Sequence, residues 1–162
     1  MTASSTMWTL LGLSGAMVGG VFLTFSDFLM RALGRTTPSG AIEAMQQVNR
    51  TVYRSVFLST FMALVPASAT LTLWHVFTHQ GASEPFFIVG TASYLIGAFV
   101  ITAAANVPLN KRLDPMDAGT AKARDYWSTY LRRWLRWNHV RTAASLLAAA
   151  CWLIGAQRLA GA

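Results

Sequence analysis

Four apolar stretches, each long enough as a helix to cross about 30 Å of hydrocarbon, dominate this chain, and the cations lie between them or near their ends. They run over about 8–33, 53–77, 85–106 and 137–159. Hydrocarbon offers the backbone no water to bond, so segments of this kind must close their own hydrogen bonds as helices. The expected fold is therefore all-α: one four-transmembrane-helix bundle over residues 1–162, with helices 2 and 4 extended on the cytoplasmic side by amphipathic segments at about 40–53 and 120–137. With 54% hydrophobic and 12% charged residues, the composition excludes a disordered chain.

A net charge of +7 could point to nucleic acid, but the placement of the charge argues for topology instead. Arg31, Arg35, Arg50 and Arg54 flank the first connection. Lys111, Arg112, Lys122, Arg124, Arg132, Arg133, Arg136 and Arg141 lie between spans three and four, and Arg158 alone falls on the other side. By the positive-inside rule both connections face the cytoplasm and both termini face away from it, in the cell (inner) membrane. The expected partners are the membrane and an apolar small molecule or lipid, with no nucleic acid. The N-terminal MTASSTMW has no basic residue and precedes an apolar run too long for a signal-peptide core, so the first stretch reads as a retained span. Cys151 is the single cysteine, which excludes an intrachain disulfide or a CxxC pair and reads as a small buried thiol.

Local signals set further expectations. Gly15 and Gly19 have the GxxxG spacing that lets helices approach closely, toward another helix of the bundle or a second copy in a homo-oligomer. Ser39 is the expected N-cap of a second helix, which the apolar spacing of Ala41, Met45, Val48, Val52 and Val56 carries unbroken into the span through Phe77. Pro66 should kink that span, Pro85 should open the third, and Pro108 should end it at Asn106. From about Thr120 to Leu159 one rod of ~60 Å is expected.

Polar residues gather where the spans meet the basic end: Asp27, Arg31, Asn49, Arg50, Asn106, Asn110, Asn138, His139 and Arg141. Polar groups at the hydrocarbon margin are costly unless paired or wet, so their convergence marks a candidate site. Asp27 and Arg31 have the spacing of an intrahelical ion pair; alternatively Asp27 meets a cation from another helix, such as Arg141. Asn106 and Asn110 either satisfy carbonyls freed by Pro108 or contact a ligand. Asn138 and Arg141 project on the side of Trp134, and His139 points about 100° away from them. His139 is nevertheless the candidate general base, because its ordinary pKa lies near 6.5, roughly physiological; a structural role is the alternative. Trp127, Tyr130, Trp134 and Trp137 suit an interfacial aromatic belt or the walls of a flat pocket. His75 and His79 have the spacing of a metal pair, but Glu84 is the one acidic group nearby, so no metal site is expected there.

Four motifs, Phe25–Met30 (FSDFLM), Ala44–Arg50 (AMQQVNR), Asn106–Asn110 (NVPLN) and Trp134–Ser145 (WLRWNHVRTAAS), together resemble the DUF1772 or anthrone oxygenase-like family of small integral membrane proteins. The resemblance implies four transmembrane helices. It also implies oxidation of a flat phenolic tricycle by O2, with no cofactor: a base takes a proton from an activated carbon and the carbanion reduces oxygen directly. On that pattern His139 is the catalytic base and Arg141 the catalytic cation. Asp27, Asn106, Asn110, Trp134 and Asn138 then form the substrate site. The alternative is a non-catalytic bundle that binds a lipid-like ligand or partner protein, or carries a small solute.

Overall fold

The computed structural model describes residues 3–78 and 81–161. Among them there is no strand, and four helices are long and apolar enough to span a membrane: α1 (Ala3–Leu33), α3 (Val56–Thr78), α4 (Glu84–Leu113) and α5 (Ala121–Gly161). A shorter amphipathic helix, α2 (Pro38–Thr51), lies between the first two. The chain is an integral membrane protein. Its burial pattern runs opposite to that of a water-soluble bundle. Leu10, Leu13, Leu73, Phe77 and Ile96 face outward, whereas Ser5, Ser68, Asn106, Asn138 and Ser145 are buried. Lipid tails solvate leucine as well as a protein core does, and polar groups that lipid cannot bond turn inward to find partners.

Helix α5 is the axis, contacting α1, α2 and α4 along its length. The α1 approach is close because of glycine. A Cβ placed on Gly15 would meet Trp152 at 2.9 Å, and one on Gly19 would meet Leu146 at 2.7 Å. The GxxxG face is thus filled by α5 of the same chain. A second copy does not have that face available.

Three local expectations change. Thr37, not Ser39, caps α2: its hydroxyl accepts from the Gly40 amide at 3.4 Å, and Pro38 takes the first helical position, where its missing donor costs nothing. The second helix does not run unbroken into its span. It tightens to a single 3-10 turn at Val52–Arg54 and passes through extended Ser55 (φ −98, ψ 148), whose hydroxyl then accepts from the Leu58 amide to start α3. Nor does Pro108 end the third span. The preceding residues, Thr102–Asn106, widen to π-helical turns, the Val107 amide reaches the Thr102 carbonyl, and the helix continues to Leu113. Because α4 continues, Asn106 and Asn110 do share a face. Pro66 lies inside α3 without interrupting it, Pro85 opens α4, and α5 is one 41-residue helix.

At the end of the bundle where the basic connections lie, α2 is fastened across the C-terminus of α4. The Gln46 amide shares its two hydrogens among the carbonyls of Leu113 (3.0 Å), Asp114 (3.3 Å) and Met116 (2.8 Å), at and just past the end of α4. Arg50 adds an ion pair to Asp114 at 2.8 Å.

A pocket at the basic end of the bundle

The polar centre of this end is built on α5. Asn138 is fully buried and donates through Nδ2 to the Phe22 carbonyl and to Ser26 Oγ, both at 2.7 Å. The two contacts bracket the start of the π-helical turns of α1 at Phe25–Leu29, where the backbone ladder widens, Phe22 lying just before them and Ser26 within them. Ser26 Oγ in turn pairs with Thr142 Oγ1 at 2.9 Å. The Asn138 Oδ1 accepts from Arg141 Nη2 at 2.6 Å.

Arg141 is the unusual residue. It is 6% exposed, yet it has no carboxylate partner: among the described residues the ion pairs are Arg31–Asp27 and Arg50–Asp114. Its Nη1 donates to Thr102 Oγ1 at 3.3 Å, and its Nε is buried with no acceptor. The guanidinium lies over the Phe22 ring at 4.3 Å and the Trp134 ring at 5.0 Å. Ring quadrupoles attract a cation but do not neutralise it, so a desolvated positive charge remains that an anion could answer.

That charge forms part of the wall of a pocket of about 220 Å³. The rest of the wall is mostly apolar and aromatic: Phe25 and Trp134 on one side, Phe57 and Phe61 of α3 on another, with Tyr53 from the hinge between α2 and α3. Asn49, Asn110, Lys111 and the Arg50–Asp114 pair add polar groups to the lining. An apolar pocket with few convergent polar groups is the usual form of a small-molecule site.

The structure sorts the sequence candidates into three groups. Arg141, Trp134 and Asn110 line the pocket, the last also accepting from Tyr130 Oη at 2.9 Å. Asn138 and Asn106 stand behind it. Asn138 orients Arg141, while Asn106 Nδ2 donates to the Trp134 carbonyl at 3.2 Å and so ties α4 to α5. Asp27 and His139 are outside. Asp27 makes the exposed intrahelical pair with Arg31 at 3.0 Å and does not meet Arg141. His139 is exposed and absent from the lining.

The aromatic residues also differ from the expected belt. Trp127, Tyr130 and Trp134 are buried in a ladder along α5, with ring centroids 5.4 and 6.4 Å apart, inside the contact with α1 and α2. Trp137 is the member left partly exposed. His75 is buried at the opposite end and His79 lies outside the described residues; no group of three metal-ligating side chains converges among those described.

Fold and pocket together define a class, an integral membrane four-helix bundle with an aromatic-walled pocket at its basic end. Residues 50–151, which include the hinge and the pocket-lining parts of α3, α4 and α5, match the family model described as anthrone oxygenase, and the chain belongs to that family. No curated protein and no solved structure matches the chain.

Proposed function

We propose that the chain is a membrane oxidoreductase of the anthrone oxygenase type, which admits a compact, flat phenolic aromatic from the bilayer and oxidises its activated carbon with O2. The observation that carries this reading is Arg141, a buried cation without a carboxylate, set against aromatic rings at the wall of an apolar pocket. The volume favours a compact ligand over a diacyl lipid, since about 220 Å³ falls below the ~300 Å³ at which drug-sized sites begin.

Loss of a proton from the methylene carbon of an anthrone-like ring system leaves a carbanion whose charge spreads to the carbonyl oxygen as an enolate. In this scheme Arg141 holds that oxygen, and a donor aimed at developing charge in a water-poor site is worth on the order of 10²–10³ in rate. Asp114 is the carboxylate in the lining and receives the proton. The carbanion reduces O2 and combines with it as a hydroperoxide, and loss of water leaves the new carbonyl. One O2 is consumed and one water released for each methylene oxidised, with no external reductant. The scheme draws on no metal or flavin.

The charge bias supports a pocket on the cytoplasmic side, with both termini on the other. A cytoplasm-dependent reporter fused to the C-terminus should then be silent. The enzymatic reading is tested with purified protein and an anthrone: oxygen uptake should exceed the spontaneous rate, and Arg141→Gln should abolish the excess. Uptake unchanged by that substitution would sink the assignment.

A further inference from the structure

A second hollow lies between α4 and α5 and shares no lining residue with the pocket above. It is wide, about 900 Å³, and changes character along its length. Toward the membrane it is floored by Ala104, Ala105 and Pro108, small residues at the π-helical stretch of α4, with Trp137 opposite on α5. Away from the membrane it is bordered by Arg112, Lys122 and Arg133. Asp125 is the one carboxylate in the lining, and it makes no ion pair with any of the three. Arg112 is held in place over the Tyr126 ring at 4.6 Å.

We infer that this groove binds one anionic phospholipid, with an acyl chain along Ala104, Ala105 and Pro108 and the phosphate among Arg112, Lys122 and Arg133. Two observations select that occupant. The apolar end lies within a membrane-spanning helix, where a lipid chain is the available ligand. The basic end has three cations against one carboxylate, an excess that a zwitterionic headgroup would not answer. Trp137, the partly exposed tryptophan at the membrane end one helical turn beyond Arg133, suits the headgroup boundary.

The test uses the full-length protein in detergent, incubated with equal amounts of phosphatidylglycerol and phosphatidylcholine of matched chains and examined by native mass spectrometry. The phosphatidylglycerol adduct should predominate. Replacing Arg112, Lys122 and Arg133 together by Gln should reduce it on the order of tenfold or more. The matched triple substitution of Arg124, Arg132 and Arg136, cations of the same charge outside the groove, should leave it unchanged. The single substitution Arg133→Gln, at an exposed position, repeats the measurement and should lower the adduct by a few-fold. Equal retention of the two lipids, equal loss in both triple variants, or displacement by an equal concentration of inorganic phosphate would each overturn the assignment.

Discussion

The two ends of the bundle bury aromatic and polar side chains in similar numbers but use them differently. At the end away from the basic connections, Trp8 stacks on Phe87 at 3.8 Å and the His75 ring stands edge-on to the same phenyl at 4.7 Å. Polar groups there close on each other: Thr72 and Thr91 hydroxyls meet at 2.7 Å, Trp152 Nε1 donates to Thr91 at 3.2 Å, and Ser83 pairs with His75. These side-chain pairs join helices, and an orphaned donor at this end, Trp8 Nε1, carries no charge. The basic end has the same materials plus one cation that the protein does not neutralise, and the packing opens beside it into a pocket. The difference teaches that the number of buried polar residues does not mark a membrane site. An unanswered charge next to a cavity does.

Substitutions should separate the two ends by what each one loses. The largest effect is expected from Arg141→Gln, a fall of roughly 10²–10³ in anthrone oxidation, the scale of removing one donor to an enolate. Its unfolding midpoint in detergent should stay level or rise, because the buried guanidinium has no counter-charge to lose. Trp152→Ala at the other end should do the reverse. It removes a fully buried indole and costs about 3–5 kcal/mol of stability, while the protein that remains folded keeps its turnover number. If Trp152→Ala impairs turnover as much as Arg141→Gln, the division of labour between the ends fails.

Asn138→Ala tests the link within the basic end. It removes both donors' contacts to α1 and the acceptor of Arg141, so a cost of about 1–3 kcal/mol is expected together with reduced activity. The measurement is a denaturation curve beside an oxygen-uptake rate. A loss of stability with turnover intact would show that Arg141 is positioned by Thr102 and the rings instead. Asp27→Asn breaks an exposed pair and should cost no more than about 1 kcal/mol, with no change in turnover.

How much of this was legible in the sequence depended on whether a feature is set by local pattern or by packing. The four spans, the long α5 rod and the shared face of Trp134, Asn138 and Arg141 follow from hydropathy and a 100° helical step, roughly, and were read correctly. The break at Ser55 has no such signal, because Val52, Tyr53, Arg54 and Ser55 include neither glycine nor proline; it accompanies tertiary contacts, the docking of Gln46 and Arg50 onto the end of α4. Pro108 misled in the opposite sense, since π-helical turns supplied a backbone route around its missing amide. Thr102, Tyr53 and Phe57 were missed as pocket residues for a related reason. Each looks like ordinary span or boundary sequence, and they meet only because the hinge brings the start of α3 beside α4 and α5. The identity of the partner of Asp27 was likewise left open by spacing, which permits the pair with Arg31 but cannot exclude a distant cation.

His139→Ala sharpens the comparison from its weakest side. By residue type His139 is the natural base of this end, and the sequence motif holding it also holds Asn138 and Arg141. By position it is turned away from them: one residue past Asn138 rotates the side chain by roughly 100°, from the buried seam to the exposed flank of α5. Proton abstraction needs the base within hydrogen-bond reach of the substrate carbon or one water away, and His139 is not among the residues that line the pocket. Turnover of the His139→Ala protein should therefore match the unsubstituted chain, whereas Asp114→Asn, which removes the carboxylate in the lining, should slow it. The opposite result would mean that the substrate reaches the flank of α5 and that the pocket beside Arg141 is not where the chemistry occurs.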